Sequence, residues 1–301
     1  MALPGRKGMA WGLTLLVAIG FLAISGLAAA GDETDFGAIR KAAEQGDPKA
    51  QYRLGVMYAK GLGIPQDDKE AFSWYKKAAE QNDALSQYNL GIRYFKGVGA
   101  NQDYEQAIVW YGKAAEQGLA PAQYNLGVML NRGLGAPQDC QRSIVWYGKA
   151  ARQGHIEAEY NLGIMYDQGE CVPQDDAKAV FWLEKAASQG DARAQASLGV
   201  KYAKGEGVSP DARQAVAWFR KAAMQGDTTA QYNLGFMNTK GQGVPQDDAK
   251  AYIWFSLAAA QGQKDAEALS GISASKLTPE QLNKAQKLAA EIQAKIDNKK
   301  K

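Results

Sequence analysis

"AQYNLG", at residues 122–127, is written again with small changes as "AQYRLG" at 50–55, "SQYNLG" at 86–91, "AEYNLG" at 158–163, "AQASLG" at 194–199 and "AQYNLG" at 230–235. Each copy begins 36 residues after the one before it (50, 86, 122, 158, 194, 230). A fixed period of this length marks a stacked repeat. One helix pair cannot bury its apolar face alone, so pairs bury it against their neighbours, and the interface recurs once per period. An insertion inside a helix would turn its apolar stripe away from those neighbours, so the spacing cannot drift.

Each period holds two helical patterns. The first runs from Pro48 to Lys60, with Ala50, Leu54, Met57 and Tyr58 on one face of a 3.6-residue period. It stops at a glycine that recurs as Gly61, Gly97, Gly133, Gly169, Gly205 and Gly241, as a left-handed C′ residue requires. The second helix follows an aspartate N-cap: Asp67, Asp103, Asp139, Asp175, Asp211 and Asp247. Glu70, Gln106 and Gln214 stand three residues further on and predict capping boxes. Trp74, Trp110, Trp146, Trp182, Trp218 and Trp254 form a column beside paired alanines, and a large aromatic at helical spacing next to small residues is expected in the core.

"FGAIRKAAEQGD" before the first period matches the end of a second helix. After the last period, Thr278 as N-cap, Pro279 and Glu280 open a closing helix. The chain thus divides into a targeting segment (1–30), an N-terminal capping half-repeat (31–46), six repeats over 47–262 (47–82, 83–118, 119–154, 155–190, 191–226, 227–262), and a degenerate repeat with a capping helix (263–301).

In the targeting segment, Arg6 and Lys7 precede the apolar run "WGLTLLVAIGFLAISGL", and "AAA" at 28–30 offers a cleavage site. This predicts export to the periplasm with cleavage after about Ala30. The alternative is an uncleaved inner-membrane anchor, since Met9 to Ala30 carries no charge. No cysteine follows the run, which excludes a lipoprotein anchor. The formal net charge is +3, and without Arg6 and Lys7 the chain is close to neutral. A nucleic-acid partner, which calls for a clustered basic face, is therefore not expected.

The pattern "A-x-Y-x-L-G-x-x-Y…G-x-G…D…A…W…K-A-A…G" resembles the Sel1-like repeat family, a branch of the tetratricopeptide superfamily. The resemblance covers the capping half-repeat and all six repeats. It implies an all-α, right-handed superhelical solenoid of helix-turn-helix repeats that acts as an adaptor for other proteins. Exported bacterial members resemble envelope scaffolds, sensor-kinase regulators and host-interaction factors. The pattern is specific for fold and weakly specific for function. Departures include Ala196, where other repeats have tyrosine, and Asn238 at the position of Tyr58.

Tyr52, Tyr88, Tyr124, Tyr160 and Tyr232 lie far around the first helix from its core leucine. In tetratricopeptide-like superhelices that side tends to line the concave groove. Two readings follow. The tyrosines are anchors for a protein or peptide partner, or they pack against the preceding repeat. Phe95 and Asp167 occupy a helix-exit position whose residue type varies among repeats, and they join the candidate groove. Asn89, Asn125, Asn161 and Asn233 are expected to hydrogen-bond between helices.

Cys140 follows the cap aspartate of the third repeat, and Cys171 replaces the second glycine of the G-x-G loop in the fourth. Both lie at the same end of the stack in adjacent repeats, where helix axes stand about 8–10 Å apart. A flexible loop can close that distance, so a Cys140–Cys171 disulfide is expected in an exported protein. Two free thiols or an intermolecular bridge are the alternatives.

Neither a catalytic residue, a metal site nor a cofactor is expected. The lone histidine, His155, excludes a His-based zinc cluster and reads as a solvated turn residue. "SWYK" at 73–76 and "SASK" at 273–276 match the S-x-x-K motif of penicillin-recognising enzymes, and some cysteine-rich Sel1-repeat proteins are described as β-lactam hydrolases. S-D-N and K-T-G are both absent. The expected function is a non-catalytic scaffold, with a structural spacer or, far behind, a β-lactam hydrolase as alternatives.

Overall fold

The computed structural model describes residues 36–299. The expected signal segment therefore lies outside the described residues. Fifteen helices and no strands are found among them. The contacts divide the chain after Gln138 into two compact units. In the first unit, α1 (Phe36–Glu44) packs on α2 (Pro48–Lys60), and the pairs α2–α3 (Asp68–Glu80) and α4 (Ala84–Lys96)–α5 (Tyr104–Glu116) stack in order, ending at α6 (Ala120–Arg132). The second unit begins with α7 (Cys140–Arg152). The pairs α8 (Ile156–Gln168)–α9 (Asp176–Ser188), α10 (Ala192–Lys204)–α11 (Ala212–Ala223) and α12 (Thr228–Lys240)–α13 (Asp248–Ala260) follow. α14 (Ala266–Ala274) and α15 (Pro279–Lys299) both pack on α13.

The helix ends are set by local chemistry. Asp67, Asp103, Asp139, Asp175, Asp211 and Asp247 accept first-turn N–H groups. Asp47, Asp83, Asp191 and Asp227 do the same for first helices. The capping boxes expected from Glu70, Gln106 and Gln214 do not form. The backbone N–H of Asp67 donates to Tyr58 O (3.0 Å), that of Asp103 to Tyr94 O (2.9 Å) and that of Asp211 to Tyr202 O (2.9 Å). The preceding helix has already satisfied the donor that the box would serve. A reciprocal box does open α15, where Gln281 N donates to Thr278 Oγ1 (3.2 Å) and Thr278 N to Gln281 Oε1 (2.9 Å).

The letters of "AQYNLG" have separate duties. The leucine is core: Leu54, Leu90 and Leu198 are fully buried. The glycine makes room for a ring on the partner helix. A Cβ on Gly91 would stand 2.7 Å from the ring of Tyr111, and one on Gly199 2.5 Å from that of Phe219. In the fourth repeat Gly163 makes the same room for Leu183. The glutamine is a buried connector. Gln87 Nε2 donates to Ala79 O (3.2 Å), and Gln117 Nε2 donates to Gln87 Oε1 (2.7 Å). Gln195 and Gln231 repeat the pattern with Ala187 O (3.1 Å) and Ala223 O (3.2 Å), and accept from Gln225 (2.9 Å) and Gln261 (2.8 Å). Each such glutamine ties one helix pair to the last turn of the pair before it and satisfies polar groups that burial would otherwise penalise.

The position after the tryptophan carries the deepest rings: Tyr111, Tyr147, Phe219 and Phe255 are among the largest fully buried side chains. Trp74, Trp110 and Trp254 are buried as expected, whereas Trp146, Trp182 and Trp218 are only partly covered. Lysines lie over four of these indoles, at 3.8 Å from the ring centre for Lys77 on Trp74 and Lys149 on Trp146, 4.0 Å for Lys113 on Trp110 and 3.9 Å for Lys221 on Trp218.

Candidate functional site

The tyrosine column stands on the first helices, and each ring that can be followed leans on its own pair's second helix. Tyr52 lies 6.0 Å from Tyr75, Tyr88 5.9 Å from Tyr111 and Tyr232 5.9 Å from Phe255, centre to centre. Tyr88 and Tyr124 are buried, and Tyr52, Tyr160 and Tyr232 are half-buried. Arg193 covers the Tyr160 ring at 4.3 Å. Burial raises the Tyr160 hydroxyl pKa, and the charge of Arg193 partly offsets this. Phe95 packs on Tyr104 at 5.2 Å.

Two members of the asparagine column, Asn89 and Asn233, do not link helices. Asn89 Nδ2 donates to Leu85 O (2.8 Å) and Asn233 Nδ2 to Thr229 O (2.9 Å), each within its own helix. In α4 and α12 the asparagine amide thus serves the carbonyl one turn back.

Asp167 belongs to a charge cluster that the sequence reading missed. The Lys201 ammonium is 3% exposed and is held by Asp167, by Asp176 (2.8 Å) and by Glu206 (3.1 Å). Burial works against its charge, but the bonds from Asp167 and Asp176 outweigh this and raise its pKa. The three carboxylates converge closely enough to surround a cation, and the cation they surround is this side chain. Thirty-six-residue bookkeeping shows the same device in the second repeat. There Arg93 donates to the Asp68 carboxylate (3.1 Å) and to Asp68 O (3.1 Å). Wherever a first helix carries a cation at this position, the second helix before it opens on aspartate.

Cys140 and Cys171 form a disulfide, with their Cα atoms 5.5 Å apart. The equivalent pairs elsewhere explain why this place suits a bridge. A Cβ on Gly207 would fall on the Asp176 carbonyl, and one on Gly243 on the Ala212 carbonyl, so the loop and the helix start meet here in every such pair. Cys171 keeps the left-handed backbone of those glycines, at φ 65° against 74° for Gly207. The Gln141 amide donates to Cys171 O (2.7 Å).

His155 is not solvated: its side chain is 10% exposed and lies 3.3 Å from Glu157. It occupies an N-cap position that aspartate fills in other repeats, and it makes no side-chain cap bond. Burial lowers its pKa, and Glu157 partly restores it. Of the S-x-x-K serines, Ser273 donates to Leu269 O (3.0 Å) while Lys276 pairs with Asp248 (3.0 Å). Ser73 is exposed on α3.

The family is decided by the repeat itself. The chain matches the Sel1 repeat over residues 48–83, 84–119, 120–155, 156–191, 192–227 and 228–263. It belongs to the Sel1 repeat family. Among solved structures, a Sel1 repeat protein from Oxalobacter formigenes is 35% identical, covers 76% of this chain and 100% of its own, and superposes with a TM-score of 0.64. A protective antigen present in uropathogenic Escherichia coli strains is 34% identical over 87% of this chain, with a TM-score of 0.61. This chain spans 64% of the antigen's length. No curated protein matches. In Sel1 terms, the glycine–ring contact, the glutamine ladder and the two aspartate caps are framework. The disulfide and His155 each occur once among the six repeats. No helix among the described residues is long and apolar enough to cross a membrane, and the disulfide fits an oxidising compartment.

Proposed function

We propose that this Sel1 repeat protein is an exported, non-catalytic scaffold that binds a protein or peptide partner on the face formed by its first helices. The observation that carries this is a row of half-buried apolar groups that the framework leaves open. In the second unit these are Tyr160 and Ile164 on α8, Val200 on α10, and Tyr232 and Phe236 on α12. Tyr232 and Phe236 meet edge to face at 4.9 Å, a rigid aromatic pair of the kind that anchors partner side chains. In the first unit Tyr52, Val56 and Ile92 are half-buried at the matching positions of α2 and α4. The disulfide supports export, as does the similarity to a protective antigen.

The test is capture in the native envelope. A photo-reactive residue replaces Tyr160, and a control replaces the exposed Lys287 on α15. Tyr160 is chosen over Tyr124 because the latter is buried. A discrete adduct from position 160 alone is the expected result. Equal or absent capture from both positions favours a spacer that makes its contacts elsewhere.

A further inference from the structure

A second surface, built from different residues, lies in the second unit. A cavity of about 240 Å³ opens between α7, α8 and α9. Leu162 and Tyr166 of α8 line it, with Ile144, Gly148 and Arg152 of α7 on one side and Trp182 of α9 on the other. Val145 and Phe181, 54% and 51% exposed, stand on α7 and α9 beside it.

Three features shape this place. The first is Gly148, in the middle of α7. Helix interiors disfavour glycine, and nothing in the chain requires one here: a Cβ would meet only the Arg152 guanidinium, at an ordinary 3.5 Å. The position holds Lys76, Glu184, Arg220 and Ser256 in other repeats and glycine again, as Gly112, in the second. One repeat on, Tyr202 donates to Glu184 (3.2 Å) and closes the corresponding gap, whereas Gly148 offers Tyr166 no side chain. The second feature is Trp182. Lysines three residues on cover the indoles of Trp146 and Trp218, but Lys185 lies over Phe181 instead, at 5.2 Å. The third is Arg152, whose guanidinium makes no ion pair or side-chain hydrogen bond among the described residues.

We propose that this cavity docks a partner segment in which an apolar side chain stands next to a carboxylate. The apolar group rests over Gly148 against Leu162, Tyr166 and the open face of Trp182, and the carboxylate takes the Arg152 guanidinium in a bidentate pair. An Asp or Glu side chain and a chain-terminal carboxylate share this chemistry.

The test uses the full chain labelled with fluorotryptophan, with the Trp182 fluorine signal assigned through Trp182→Phe. Three acetylated peptides are titrated: Ser-Leu-Leu-Asp-Ser as the amide, Ser-Leu-Leu with a free terminus, and Ser-Leu-Leu-Asn-Ser as the neutral amide. A saturable shift of the Trp182 signal with either acidic peptide is expected, and which one acts identifies the carboxylate. The neutral peptide, and the acidic one on Arg152→Gln, should bind at least about tenfold more weakly. Gly148→Lys, which restores the side chain of the first repeat, should abolish the shift while the other tryptophan signals report an intact fold. No shift with any peptide, an equal response to the neutral peptide, or binding unchanged in Gly148→Lys would overturn the proposal.

Discussion

In the second repeat Gln87 both donates, to Ala79 O, and accepts, from Gln117. In the fourth repeat Glu159 stands in the same buried place and accepts from Gln189 (2.7 Å), but an ionised carboxylate has no proton to donate. The second repeat sets Gly99 against the backbone of Asp68, and the fourth sets Cys171 against Cys140 through sulfur. Tyr111 fills the space over Gly91, and Leu183 fills the space over Gly163. The frame is identical and the chemistry is not. A repeat tolerates a change of chemical group at a framework position when the new group occupies the same space, and the cost then appears as a local electrostatic or conformational debt.

The largest effect should come from the space over the helix glycine, which a ring fills in the fifth repeat as it does in the second. Phe219→Ala, which empties the space over Gly199, should cost about 3–5 kcal/mol in urea unfolding. A cost under about 1 kcal/mol would mean that the ring is not what the glycine accommodates. Next comes the bridge. Converting Cys140 and Cys171 both to serine should cost about 2–4 kcal/mol. Cys140→Ser with Cys171→Gly should recover about 1 kcal/mol of that, because the loop residue keeps a left-handed φ that only glycine adopts freely. Equal stability of the two double variants would show that the backbone relaxes once the bridge is gone.

Glu159 provides a pH test of smaller size. Burial raises its pKa, and the bond from Gln189 and the charge of Lys185 only partly offset this. A carboxyl whose folded pKa lies above its unfolded one contributes stability at pH below the unfolded value. That contribution is lost as pH rises through the folded value. Stability of the native chain should therefore decline through that range as pH rises, and Glu159→Gln should remove this part of the decline. Parallel pH profiles for the two proteins would contradict the assignment.

Much of the fold was legible because a period repeats its reasons. The helix pairs, the aspartate caps and the C′ glycines each recur six times in the letters, and the cysteines stood out as departures from two of those columns. What stayed hidden was the partner of each column. Identity at 36 residues shows that Gln87 and Gly91 are constrained. It does not show that one reaches the helix end of the preceding pair and the other a ring in its own pair. The tryptophan drew attention as the largest residue, although the ring beside it is the deeper one. His155 read as solvated because polar turn residues usually are, and nothing in the sequence singled out Lys201. Their burial follows from Asp167, Asp176 and Glu157, which are distant or unremarkable in sequence. Of the candidate site, the chemistry of the tyrosine face and the option of packing were visible, but the packing partner was not: the rings lean on their own pair's second helix and not on the preceding repeat. The cavity beside Gly148 was invisible, because an opening is defined by what neighbouring helices leave uncovered.

The central claim is that the framework supplies stability and that the fourth repeat and its border depart from it at a cost. The most direct measurement is urea unfolding of the chain carrying Gly148→Lys and Glu159→Gln together, which puts the first repeat's helix former and the recurrent glutamine at these two places. The account predicts a gain of about 1–2 kcal/mol near neutral pH, from a better helix former and a completed buried hydrogen bond. An unchanged or lower stability would contradict it, because the glycine and the carboxylate would then be parts of the packing.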